Sequence, residues 1–135
     1  MLANTDLSGA VFIGANLSDA VLYNANLSDA VLLNANLFGA LLQKADLSGS
    51  EIFVTNLARA NLQDADLREA DLSGTDLWNA DLSGTKLLGT NLSRASGLTE
   101  AQLDTATGDA LTQLPYRVRR PSTWPAAKGQ FWLSR

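Results

Sequence analysis

What most narrows the folds open to this chain is a five-residue word. Residues 15–49 read ANLSD AVLYN ANLSD AVLLN ANLFG ALLQK ADLSG, and the same frame runs back to residue 5 and forward to residue 94, eighteen words with no insertion or deletion. A small residue opens each word and a leucine stands at its centre, replaced only by Phe12 and Ile52. Apolar residues at every fifth place cannot line one stripe of an α-helix, which needs spacings of three and four. They cannot stay on one face of a long strand either, because five is odd and a strand alternates with period two. All can point inward only if the chain turns a corner at each word. If each word is one side and corner of a square, four words complete a lap of twenty residues. Laps then stack at ~4.8 Å, with backbone hydrogen bonds along the axis.

The words ANLSD, ADLSG and ADLRE resemble the pentapeptide-repeat motif, A(D/N)LXX, across residues 5–94. The resemblance implies an all-β fold: a right-handed quadrilateral parallel β-helix, or solenoid, of about four and a half coils. It also implies that the central residue and the small residue two before it point inward. Handedness and the number of sides come from the resemblance, not from the period. The expected domains are a pentapeptide-repeat β-helix over 1–96, a C-terminal capping helix and turn over 97–115, and an extended basic and aromatic tail over 116–135. The ending GLTEAQLDTATGDALTQLP followed by RRPSTW is similar to that of bacterial members of the family.

Counting in fours assigns the inner columns. Side one stacks Leu7, Leu27, Leu47, Leu67 and Leu87; side two stacks Phe12, Leu32, Ile52, Leu72 and Leu92. Side three stacks Leu17, Leu37, Leu57 and Leu77, and side four Leu22, Leu42, Leu62 and Leu82, with Leu2 beginning that row. The small column is alanine except at Thr5, Ser50, Thr55, Thr75, Thr85 and Thr90, where each hydroxyl is expected to bond a carbonyl of its own coil. The residue before each leucine faces out and is mostly Asp or Asn; the asparagines suit ladders stacked from lap to lap. At the start, Met1, Leu2 and the ring of Phe12 are expected to cover the first lap. The alternative is a bare end, whose unpaired backbone invites end-to-end dimerisation.

Beyond residue 94, Thr99 and Gln102 form a capping box, and Leu98 with Leu103 a hydrophobic staple around it. Glu100 suits the positive end of this helix and Gly108 its exit, giving about two turns. Ala101, Leu103 and Ala106 are expected to cover the last leucines. In the tail, Arg117 and Arg119 are placed along acidic corners of the last coils, Trp124 packs on the cap, and Phe131 and Trp132 close the chain.

The outward positions of side two depart from the polar rule. Val11, Ile13, Val31, Leu33, Phe53 and Val54 form an apolar stripe over three successive coils, large enough to mark an interface. Side four repeats this more weakly with Val21, Tyr23 and Leu41, and side three adds Phe38 and Trp78. Charge is divided along the chain: eleven acidic and five basic residues through position 94, three acidic and five basic beyond it. The densest negative patch is Asp46, Asp64, Asp66, Glu69 and Asp71.

Composition removes most chemistry. There is no cysteine and no histidine, hence no thiol catalysis, no disulfide, and neither the commonest general base nor the commonest metal ligand. No phosphate-cradling glycine run and no nonapeptide calcium repeat occurs, and a convex rod offers no deep pocket. No catalytic residue, cofactor or metal is expected. The apolar runs fall far short of the ~18 residues of a membrane span, and the N-terminus lacks the pattern of a secretory signal. A cytoplasmic location without membrane contact is expected. Three cations within 117–120 are too few to read as a nucleic-acid site. The expected function is therefore a non-enzymatic scaffold that binds an unidentified protein partner or a second copy of itself as a homodimer. The alternative, implied by the resemblance, is a DNA mimic that binds a type II topoisomerase, DNA gyrase.

Overall fold

The computed structural model describes residues 1–127; Phe131 and Trp132, expected to close the tail, lie outside the described residues. Within it the backbone hydrogen bonds of one word account for the architecture. In 45–49, the Ala45 N–H closes a turn onto the Leu42 carbonyl at 3.0 Å. The Asp46 N–H reaches back one lap to the Ala25 carbonyl, while those of Leu47 and Gly49 reach forward one lap to the carbonyls of Asp66 and Arg68. The fifth N–H, on Ser48, has no backbone partner in this scheme, and the Asp46 carboxylate accepts it at 2.9 Å. Every donor of the word is thus used, as buried and half-buried backbone requires.

That fifth bond explains the second letter of the word. All twelve Asp or Asn residues at that place, from Asp6 to Asn91, accept the N–H two residues on. The expected asparagine ladders between laps are therefore corrected: the side-chain oxygen caps its own turn, because that N–H would otherwise face outward unpaired.

Parallel bridges join each second position to the residue twenty places on, as in Asp6–Asn26–Asp46–Asp66–Lys86 on side one. Each side contributes one bridging residue rather than a strand, since a turn follows at once. Residue five of the word carries that turn with a positive φ, from Asn4 (+59°) to Arg94 (+61°). With the N–H of the next word's first residue bonded back to the leucine carbonyl, this is type II geometry, which favours Gly and Asn at that place.

The inner columns close completely in the middle of the rod: Leu37 and Leu57 have no exposed surface. In the first lap Leu7, Phe12 and Leu17 are only half-buried against that core. Met1 is 93% exposed, so it does not cover the opening as expected; Leu2 and Phe12 pack there without it. The hydroxyl column also differs from expectation. Thr55, Thr75, Thr85 and Thr90 donate not to their own coil but to the leucine or isoleucine carbonyl 23 residues earlier, at 2.7–2.9 Å. The Leu32, Leu62 and Leu67 carbonyls already accept their own turn N–H, and the hydroxyl takes the second lone pair; the Ile52 carbonyl accepts the Thr75 hydroxyl without a turn N–H. Thr5 and Ser50 bond within their own coil as expected, to the carbonyls of Ala3 at 3.2 Å and Leu47 at 2.6 Å.

At the C-terminal end the ladder outlasts the words. Lys86 pairs with Thr107 and Asn91 with Gln113, so the capping segment is itself a further lap carrying extra residues. Helix α1, Glu100–Asp104, opens with the full capping box: Thr99 N–H to Gln102 Oε1 at 2.7 Å, and Gln102 N–H to Thr99 Oγ1 at 3.2 Å. The Gln102 amide nitrogen then donates to the Leu77 and Ala80 carbonyls, both at 2.9 Å, sealing the lap beneath. The helix is one turn long, not two, and ends at Thr105 rather than near Gly108. The cause is the ladder: the Thr105 carbonyl accepts from Gly84 N–H and Thr107 N–H donates to the Thr85 carbonyl, which ties this backbone to the lap beneath. Leu98, Leu103 and Ala106 are buried as expected, but Ala101 is exposed.

The tail is fastened by Arg120, not by Arg117 or Arg119, which stand exposed. Its guanidinium donates to the carbonyls of Asp109 (2.9 Å) and Thr112 (2.6 Å) and lies 6.0 Å from the centre of the Trp124 ring. Trp124 is buried on the cap, donates to the Ala106 carbonyl at 3.2 Å, and its ring occupies the space a side chain at Gly108 would need. Asp109 ties this lap down: its carboxylate accepts N–H bonds from Gly89, Leu111 and Thr112. Desolvation raises its pKa, but these N–H groups and the Thr112 hydroxyl outweigh that and leave it below the ordinary carboxylate value. A depressed folded-state pKa stabilises the fold above the unfolded value, about 3.9, and the contribution fades as pH falls through the folded one. Asp109→Asn is therefore expected to lower stability at neutral pH and to flatten its decline below about pH 4, read from urea midpoints across pH.

Candidate functional site

Twenty-residue laps bring the six stripe residues of side two together. Val11 and Val31 bridge one another on the flat of the side. Ile13, Leu33 and Phe53 follow at its corner, and Val54 ends the turn. Val11, Ile13 and Val54 are 66%, 57% and 56% exposed, and Val31, Leu33 and Phe53 are half-buried. The stripe is interrupted on the flat at Glu51, which bridges Val31. Valine has no acceptor, so at Val11 and Val31 the side-chain cap that Asp or Asn provides elsewhere is given up in exchange for apolar surface.

The corner at Val54 carries a feature the word pattern did not disclose. Val54 has φ +58°, a left-handed conformation that costs a β-branched residue roughly 1–2 kcal/mol. Its column otherwise holds Gly14, Asn34, Gly74 and Arg94. Two bonds made at the neighbouring corners are missing here: Asn34 N–H to the Phe53 carbonyl, and Thr55 N–H to the Ile52 carbonyl.

Past Phe53 the face drops into a shallow hollow of about 290 Å³, lined by Phe53, Val54, Ser73, Gly74, Asn91, Ser93 and Arg94. The other apolar positions lie apart from this face: Tyr23 and Leu41 on side four, Phe38 and Trp78 at the corner of side three, all at least 36% exposed.

The five acids gather around side one. Asp46 and Asp66 are bridge partners in its centre, Asp64 stands at the corner before it, and Glu69 and Asp71 stand around the corner after it. Arg68 binds Asp66 through two nitrogens, at 2.7 Å for the closest pair, the one ion pair among the described residues. Chiefly through those bonds it holds the Asp66 carboxyl below the usual range. Lys86 stacks one lap above. Among the described residues no cluster of acidic side chains could hold a metal, and no helix is long and apolar enough to cross a membrane.

The chain matches the family model for pentapeptide repeats in eight copies, over residues 1–29, 15–51 and 60–96. It is similar in structure to a pentapeptide repeat protein of the Arabidopsis thaliana thylakoid lumen, with a TM-score of 0.62 and 26% identity over 79% of this chain and 77% of that one. QnrB1, a plasmid-mediated fluoroquinolone resistance protein, aligns at 22% identity and a TM-score of 0.48 over 93% of this chain and 79% of its own. HetL, a pentapeptide repeat protein involved in heterocyst differentiation regulation in the cyanobacterium Nostoc, aligns at 28% identity and a TM-score of 0.28 over 79% of this chain and 62% of its own. No curated protein sequence matches. The eight matched repeats cover well over half of the chain, and the chain belongs to the pentapeptide-repeat family.

Proposed function

We propose that this protein is a non-enzymatic scaffold of the cytoplasm, a right-handed quadrilateral β-helix that presents side two to a protein partner. The observation that carries this reading is Val54. An exposed valine occupies a left-handed turn in a column that otherwise holds Gly, Asn and Arg, and beside it one bond between laps and one turn bond are absent. Strain of this kind gathers at binding surfaces, and here it places one more apolar side chain at the end of the stripe. Val54→Asn is expected to raise stability by roughly 1–2 kcal/mol, read from the urea midpoint, because Asn tolerates the turn. The same change is expected to reduce co-purification of the partner from host lysate at least tenfold. Partner capture unchanged by Val54→Asn and by Leu33→Asp would remove side two from the function.

A second reading is favoured by the acids collected around side one, which fit the DNA mimicry expected of a gyrase-binding member. Arg68 and Lys86 dilute that charge. A supercoiling assay with DNA gyrase decides it: neither inhibition nor protection at micromolar protein ends this reading.

A further inference from the structure

The bonds that close the C-terminal end repeat a pattern used inside the rod. From Thr5 to Thr90, the carbonyl of each word's first residue accepts the N–H of the second residue one lap on, as Thr85 accepts from Thr107 and Thr90 from Gln113. Ala80 is the exception, because helix α1 stands where that lap would continue. On the last lap the same place is held by Ala106 and Thr112, which precede Thr107 and Gln113. Among the described residues no backbone N–H reaches the carbonyls of Ala80, Ala106 or Thr112. Each accepts a side-chain nitrogen instead: Ala80 from Gln102 Nε2 at 2.9 Å, Ala106 from Trp124 Nε1 at 3.2 Å, and Thr112 from Arg120 Nη2 at 2.6 Å. Sides four, one and two are thus ended by side chains standing where a following lap would donate.

We infer that Arg120 and Trp124 form an edge-stop, through which the tail keeps the C-terminal end of the rod from pairing with the same end of a second copy. An open ladder edge is a template for another chain. This one is self-complementary without the tail: the Ala106 carbonyl and the Gly108 N–H flank Thr107, the arrangement that exchanges bonds with an identical edge turned antiparallel. The tail covers both groups, since the Trp124 ring lies against Gly108 and leaves no room for a Cβ there. The two side chains suit the task because indole and guanidinium donate and cannot accept. They take up the acceptors of the last lap and offer none in return, so the ladder cannot continue through them. Arg120 also bonds the Asp109 carbonyl and lies 6.0 Å from the centre of the Trp124 ring, which joins the two into one clasp.

Arg120→Met/Trp124→Phe keeps most of the bulk of both side chains and removes every N–H they present to the last lap. In sedimentation the full-length double variant is expected to self-associate at least ~tenfold more tightly than wild type, because backbone bonds become available between copies. The chain contains no cysteine, so the end that pairs can be marked with dyes. Donor and acceptor dyes on Leu111→Cys, an exposed position of the last lap, are expected to transfer energy strongly between copies of the double variant. Dyes on Ser8→Cys in the first lap lie five laps further away in each copy, ~48 Å in all at ~4.8 Å per lap, and are expected to transfer little. Hydrogen exchange at the Leu87 and Leu92 amides, which bond the last lap, shows whether that lap stays folded. With those amides protected, association no tighter than wild type, or transfer at Ser8 as strong as at Leu111, overturns the inference. If the double variant loses that protection, Trp124→Phe alone decides by the same dyes: transfer at Leu111 above that of wild type supports the edge-stop, and none overturns it.

Discussion

Leu57→Ala is expected to cost 3–5 kcal/mol of folding free energy, toward the top of the range for a buried leucine. Leu57 has no exposed surface, and its column neighbours Leu37 and Leu77 close over it from the laps on either side. Those laps are tied to its own by backbone bonds at 2.8 Å, Leu57 N–H to the Asp76 carbonyl and Leu37 N–H to that of Asn56. The rod therefore cannot collapse into the void, and the cavity adds its full cost to the lost transfer energy. Leu7→Ala, in the same kind of column but half-buried, is expected to cost less than half as much. Urea midpoints at constant slope measure both changes. Equal losses at the two sites would mean that the first lap is as closed as the middle.

The second large effect is expected at Gly97, where the frame ends. Gly97 holds the central place of what would be a nineteenth word, and the buried apolar residue moves one place on to Leu98. It has φ +72°, and a Cβ there would lie 2.6 Å from the Trp78 nitrogen and 2.7 Å from its Cα. Those are backbone atoms, anchored because Leu77 N–H bonds the Ser96 carbonyl at 2.8 Å and the Trp78 carbonyl accepts from Arg59. Gly97→Ala combines left-handed strain of roughly 1–2 kcal/mol with an overlap that only displacement of the cap can relieve, in total about 3 kcal/mol or more. Gly74→Ala is the matched control. It has φ +69°, but the nearest atom to its Cβ would be a Val54 methyl at 3.6 Å, so only the strain of roughly 1–2 kcal/mol is expected. Thermal unfolding of the two variants separates overlap from strain. Equal losses would show that the cap moves freely over Trp78.

The inner columns, the turn at every word and the capping box at Thr99 could be read directly from the residues. Each depends on a pattern five residues long or on chemistry within one turn. What was missed depends on residues twenty or more apart. The Thr55 hydroxyl finds its carbonyl one lap back, at Leu32. Helix α1 stops because Gly84 and Thr85 claim the backbone at 105 and 107. Arg117, Arg119 and Arg120 are alike as letters, and only the position of the Asp109 and Thr112 carbonyls selects the third. The same holds at the corners, where the Asp29 carboxylate fills the space a side chain at Gly49 would need, a pairing visible only once the laps are stacked.

Of the candidate surface, the apolar stripe was legible because its letters break the local rule for the word. The strain at Val54 and the hollow over Gly74 were not. The first needs the turn's φ, and the second needs three laps in place around it. By itself the sequence determined which side chains are inside, since one inward leucine per five residues leaves the chain no other way to hide them from water. Tertiary structure alone decided where the last helix ends, which arginine holds the tail, and which apolar corner stands beside a gap. Those outcomes are settled by hydrogen bonds and contacts between laps, whose partners come together only after the rod has formed.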